Sequence, residues 1–232
     1  MALVKFGGGI LGMSGSVGGN TFSHNRFGPY VRARTTPVNP QSSRQNKIRA
    51  VIQYLAQYWS NTVTQAQRDA WEVYAAAITR SNALGAQIKL TGFNHFIRSN
   101  APLLQQDLAV VAAGPTTLTL PEADPAFACT VDEAAQEISV AYTAGLAWND
   151  QNAGYLIVSM SIPKAAGTNF IGGPMRIADF LTGVNAGPPA SPQTIAVPFP
   201  VAEGQAIICS ARIVEDDGRL SDPFLSKSAV TA

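Results

Sequence analysis

The residues able to do chemistry are few and scattered along the 232-residue chain. Asp132 and Glu133 are adjacent, and Glu215, Asp216 and Asp217 form a second acidic run with Asp222 beyond it. Glycoside chemistry needs two carboxylates facing each other across a cleft. Neighbours in a turn and an EDDG hairpin tip predict solvated carboxylates instead. The calcium-loop pattern D-x-[DN]-x-[DN]-G is absent. The two histidines, His24 and His95, have no G-x-S-x-G nucleophile to serve; the nearest stretch is GMSGS at 12–16, inside a glycine-rich run. Gly15, Gly18 and Gly19 give GSVGG, but no GK[ST] comes after it and no strand–turn–helix frames it, so a phosphate loop is set aside. Cys129 and Cys209 have neither a CxxC partner nor a nearby histidine, which removes metal-ligand spacing. Their apolar contexts, FACTV and AIICSAR, predict buried free thiols, with an inter-sheet disulfide as the alternative. We expect no enzymatic activity, no cofactor and no metal.

A binding surface is the more promising chemistry. The stretch FSHNRFGPYVRARTTPVNPQSSRQNKIRA interleaves aromatic and basic residues. Its candidate partner-binding residues are Phe22, Arg26, Phe27, Tyr30, Arg32, Arg34 and Arg44. Such a mixture stacks bases and neutralises phosphates. It equally pins an extended strand onto a partner sheet. The basic residues are spread rather than run together as in K/R-rich patches, which favours protein partners over nucleic acid. His24 reads as a polar loop residue.

Charge points the same way. Lys, Arg, Asp and Glu make up 13% of the chain, about half the usual share. The net charge of +1 hides a division: residues 1–100 carry +9 and residues 101–232 carry −8. Halves of opposite sign suggest different tasks, and a basic half suited to an acidic partner, including another copy of the chain.

Several elements must position these residues. Residues 1–41 read as an extended, glycine-rich basic arm with a short strand near Tyr30–Thr35; Pro37 and Pro40 keep its end extended. Residues 42–106 read as a helical unit. Ser42 or Ser43 caps a first helix whose apolar face is Ile48, Val51, Ile52, Leu55 and Tyr58/Trp59. Thr64-Gln65-Ala66-Gln67 is a capping box for a second helix, with Ala70, Trp71, Tyr74, Ala77 and Ile78 inward. Thr91 caps a third, presenting Phe93, Phe96 and Ile97, with Pro102 near its end and His95 structural or on the surface. Residues 107–126 read as a proline-punctuated linker. Residues 127–232 read as an antiparallel β-sandwich of immunoglobulin or fibronectin-III type, with 175–183 as a short helix or bulged edge. The fold class is α+β and multidomain. No apolar run reaches the roughly 18–20 residues that span a membrane, and three glycines interrupt the N-terminal apolar stretch, so no membrane association or secretion is expected.

Asn39-Pro40, Ser43-Arg44-Gln45, Gln67-Arg68-Asp69-Ala70-Trp71 and Leu90-Thr91-Gly92-Phe93-Asn94-His95-Phe96 together resemble a class of tailed-bacteriophage and prophage proteins encoded among virion morphogenesis genes. The resemblance covers roughly residues 15–105. The C-terminal strand pattern resembles Ig- and fibronectin-like appendages of virion proteins. What this implies is a virion structural protein, a capsid decoration or a neck or tail component, assembled in the host cytoplasm with other virion proteins and copies of itself. No catalytic residue is implied. Two alternatives stand beside it: a nucleic-acid-binding, packaging-associated protein using Phe22, Arg26, Tyr30, Arg32 and Arg34, and a host-surface or carbohydrate-binding adhesin using sandwich loops near Trp148 and Phe170.

Overall fold

The computed structural model describes residues 2–36, 38–168 and 173–231. Pro37 and Phe170 lie outside the described residues. The architecture is α+β, with three α-helices and three β-sheets among the described residues.

The extended arm expected over residues 1–41 is corrected first. Residues 2–33 fold on themselves into four strands, β1 (Ala2–Leu3), β2 (Gly15–Val17), β3 (Asn20–Asn25) and β4 (Gly28–Ala33), in the order β1-β4-β3-β2, all antiparallel. The cause is turn chemistry. Gly18 and Gly19 both have positive φ and form a two-residue hairpin turn between paired Val17 and Asn20. A Gly-Gly pair is a hairpin signal as well as a mark of looseness. Arg26 and Phe27 make the next two-residue turn, between paired Asn25 and Gly28.

The helices begin where the capping residues place them. Helix α1 (Ser43–Asn61) starts at Ser42, whose hydroxyl accepts from the Gln45 amide while the Gln45 side chain accepts from the Ser42 amide. Helix α2 (Gln65–Ala77) repeats the device with Thr64 and Gln67. Each box satisfies N–H groups that the helix itself cannot. A two-stranded hairpin, β5 (Arg80–Ser81) and β6 (Gln87–Ile88), leads to α3 (Gly92–Gln105), capped by Thr91. The core of this unit is Leu55, Trp71, Tyr74 and Phe96, with the Trp71 and Phe96 rings edge to face at 5.9 Å. Two expected inward residues face out: Ala77 is exposed, Ala75 being buried instead, and Ile52 is 45% exposed. His95 is buried.

Residues 107–126 contain no helix or strand, yet they are packed. The Trp71 indole N–H donates to the Ala112 carbonyl at 3.1 Å. The Asn100 carboxamide accepts from the Val111 amide at 2.7 Å and donates to the Val111 carbonyl at 3.1 Å. Leu103, Leu108 and Val111 pack with Ile157, Val214 and Leu220, so a shared cluster joins α3 to the C-terminal strands.

Those strands are β7 (Ala128–Asp132), β8 (Glu137–Ala141), β9 (Tyr155–Ser161), β10 (Met175–Thr182), β11 (Gln193–Ala196), β12 (Ala206–Val214) and β13 (Phe224–Thr231). Their order is β10-β9-β12-β13-β7-β8-β11. The segment 175–183 is an edge strand with an irregularity between Ile177 and Asp179, the bulged alternative expected for it. The wholly antiparallel expectation is corrected at one junction. β13 and β7 pair in parallel through Val230–Val131 and Thr231–Asp132, as first and last strands separated by a long connection can. One core takes Val131, Ile138 and Val140 from β7 and β8, and Leu156, Val158, Met160, Ile207, Cys209 and Ala211 from β9 and β12. Cys129 and Cys209 are both buried there as free thiols. A hydrogen bond that the neutral Cys129 thiol makes to Cys209, together with burial, pushes the Cys129 pKa well up.

Candidate functional site

The candidate interface is the N-terminal sheet and the ground where it meets the rest of the chain. Strand pairing decides which of the predicted partner-binding residues share a face. Successive side chains on a strand alternate between faces, and paired residues share one. Phe22 pairs with Val31, and His24 with Pro29, on one face. Tyr30 pairs with Ser23 and Leu3, and Arg32 with Thr21, on the other. Phe22 and the Tyr30–Arg32 pair therefore look in opposite directions. A single strip that stacks bases on Phe22 and holds phosphates on Arg32 does not exist on this sheet.

The remaining predicted residues lie at its margins. Arg26 and Phe27 form the β3–β4 turn. The Arg26 guanidinium reaches the Lys89 carbonyl at 3.4 Å, and the Phe27 carbonyl accepts from the Asn82 side chain at 2.8 Å. These contacts dock the sheet on the β5–β6 hairpin. Arg34 is exposed beyond β4, its backbone amide donating to the Gly19 carbonyl at 2.7 Å. Arg44 is exposed in the first turn of α1, at a groove shared with Lys47, Gln105 and Arg176. His24 is exposed on β3, not in a loop.

The turn at Phe27 borders a pocket of about 640 Å³ that sequence reasoning missed. Three guanidiniums line it: Arg80 from β5, Arg98 from α3 and Arg212 from β12. Asp222, between β12 and β13, faces them. Its carboxylate accepts from Arg80 at 2.5 Å and from Arg98 at 3.2 Å. Burial works against ionisation of Asp222, but the hydrogen bonds and charge of Arg80 and Arg98 hold its pKa below the ordinary value. Arg98 and Arg212 are both pushed down, first by burial and then by neighbouring guanidiniums. No sequence signal brought these residues together, since Asp222 is 142 residues from Arg80 and 124 from Arg98.

The acidic groups considered for chemistry are otherwise engaged. Glu215 is buried and ion-paired with Arg219, which also binds Asp217 at 2.7 Å. The EDDG tip is therefore only in part the solvated turn its composition suggests: Asp216 is exposed, while Arg219 folds back over Glu215 and Asp217. Burial raises the Glu215 pKa, partly offset by the Arg219 charge. Asp132 caps a turn through the Ala135 amide at 2.8 Å. Trp148, an aromatic considered for glycan contact, is 1% exposed and packs on Tyr142 inside the core. It offers no platform. Among the described residues, no group of three or more His, Cys, Asp or Glu could hold a metal ion, and no helix is long and apolar enough to cross a membrane.

No family model matches the chain, and no curated protein does. Among solved structures, a crystal structure of an Fn3-like protein from Clostridium thermocellum is similar over 49% of this chain and 97% of its own, at 13% identity and a TM-score of 0.31. A likeness at that level is too slight to argue from.

Proposed function

We propose that this chain is a structural protein of a tailed-phage virion, a capsid decoration or a neck or tail component, that assembles through its N-terminal sheet. The observation carrying this reading is that the sheet has no core. Among described residues from 2 to 50 not one is buried, and Ile10, Leu11, Met13 and Val17 are 51%, 101%, 37% and 62% exposed. A small sheet without a buried face is marginal by itself, and its two outer strands, β1 and β2, leave backbone groups unpaired. Both features suit a surface that is completed by other virion proteins or further copies of this chain. The resemblance of residues 15–105 to virion morphogenesis products supports the setting.

We read the seven strands as the displayed part, a sandwich of fibronectin-III or immunoglobulin type. The reading is supported by strand order. A run of four strands and a run of three are joined in the ladder by the two-residue β13–β7 pairing, and both feed the same core.

The test is incorporation. A chain lacking residues 2–41 should fail to enter purified particles, while circular dichroism shows its helices and strands intact. Normal incorporation of the truncated chain would sink the proposal. Quantitative mass spectrometry of particles carrying the full chain then separates decoration, at high copy number, from a neck or tail part, at low copy number.

A further inference from the structure

We infer that the pocket between Arg80, Arg98, Arg212 and Asp222 binds an oxyanion, the phosphate or carboxylate group of a small molecule. The charge count is the first reason. Three guanidiniums face one carboxylate, and Asp222 is itself 58% exposed in its side chain. His95, behind Arg98 and Arg80, adds no positive charge at neutral pH.

Unspent donors are the second reason. Arg80 commits only its Nη1 to Asp222. Its Nε and Nη2 are buried and find no hydrogen-bond acceptor among the described residues. The Arg212 guanidinium, half-buried beside the pocket, makes no side-chain hydrogen bond to a described residue. A guanidinium is a fixed fork that matches two oxygens of one carboxylate or phosphate, and buried donors left unmade are costly. The three guanidiniums come from a strand, a helix and a second strand that converge on one pocket. An oxyanion among them supplies acceptors and neutralises the excess charge in one step.

The walls define the rest of the ligand. Phe27, Ile88 and Leu90 give the pocket an apolar side, and Thr79 and Ser81 bring two hydroxyl-bearing residues. A compact molecule with one anionic end and an apolar or hydroxylated body fits this lining. The inference is independent of any role in a particle.

Thermal unfolding of the full chain tests it, with inorganic phosphate and with citrate as probes, each against chloride at the same ionic strength and neutral pH. One or both probes should raise the Tm saturably above the chloride control. A phosphate response alone assigns the site to phosphates, and a citrate response alone assigns it to carboxylates. Arg212→Gln removes a guanidinium that holds no described residue, so the fold should persist by circular dichroism and the apparent affinity should fall tenfold or more. Asp222→Asn removes the competing carboxylate and should tighten binding severalfold. The inference is overturned if wild type and Asp222→Asn respond to both probes no more than to chloride, or if Arg212→Gln responds as wild type does.

Discussion

Asn100 treats Val111 as a strand treats its neighbour, accepting from its amide at 2.7 Å and donating to its carbonyl at 3.1 Å. The side chain is fully buried, and its amide also reaches the Phe96 carbonyl at 3.0 Å. One residue of α3 thus holds the irregular stretch after it in a fixed register.

Asn100→Ala should therefore destabilise the chain well beyond the loss of a few atoms. It leaves two backbone groups of Val111 without partners, at a cost of about 2–4 kcal/mol. Urea unfolding should show the midpoint moved down. An unchanged midpoint would mean that residues 107–126 are tethered by something else.

Gly114 lies against α2. A Cβ there would stand 2.6 Å from the Trp71 amide nitrogen and 2.7 Å from the Ala70 carbonyl carbon. Gly114→Ala should cost about 1–3 kcal/mol, as overpacking does. Gly12→Ala, where a Cβ meets nothing within 4 Å, serves as the control and should be close to neutral by the same measurement.

His95 gives stability a pH dependence of definite sign. Burial first, then the charges of Arg98 on its own helix and Arg80 on β5, lowers its pKa from 6.5 to about 4, and the Tyr74 ring closes over it at 5.2 Å. The unfolded chain takes up the proton near pH 6.5, while the folded chain waits until about pH 4. Stability contributed by neutral His95 is therefore whole above pH 6.5 and declines as pH falls toward 4, with a slope of up to about 1.4 kcal/mol per pH unit. Between pH 6.5 and 5 carboxylates of ordinary pKa are mostly ionised, and Glu215, whose pKa burial raises, contributes with the opposite sign, so the comparison with a His95 variant is what isolates the histidine. His95→Gln should flatten the slope there in denaturant titrations. If the slope persists, another group is responsible.

Ile10 and Leu11 separate folding from assembly. Both are exposed and neither belongs to a core cluster. The double variant Ile10→Glu, Leu11→Glu should leave unfolding free energy within about 0.5 kcal/mol, as surface changes do. Under the proposed virion role, incorporation into particles should drop sharply. A variant that incorporates normally would exclude this stretch from the contact.

Legibility in the sequence tracks the range of the interactions. Ser42/Gln45 and Thr64/Gln67 are separated by three residues, so both helix starts are readable from spacing alone. The alternation of EISVAY marks β8 in the same way. Gly18-Gly19 is as local, yet in a stretch so dense in glycine the pair signals looseness as readily as a hairpin. Long-range facts are not readable. Trp148 looks free for a ligand because nothing in its own stretch announces Tyr142 beside it. Glu215 looks solvated because burial arises where its turn meets the rest of the fold. The arginine pocket needs a strand, a helix and another strand to converge, and no short window contains that.

The pairing of β7 with β13 bears on how the seven-stranded unit would carry load. The two strands run parallel, so residue 128 and residue 231 lie at opposite ends of the shared axis. A pull applied between those two points slides one strand along the other. Their hydrogen bonds are then strained together, where an antiparallel pair pulled from the same end would unzip one bond at a time. Geometry alone thus gives this junction the resistance of a lap joint rather than a zipper.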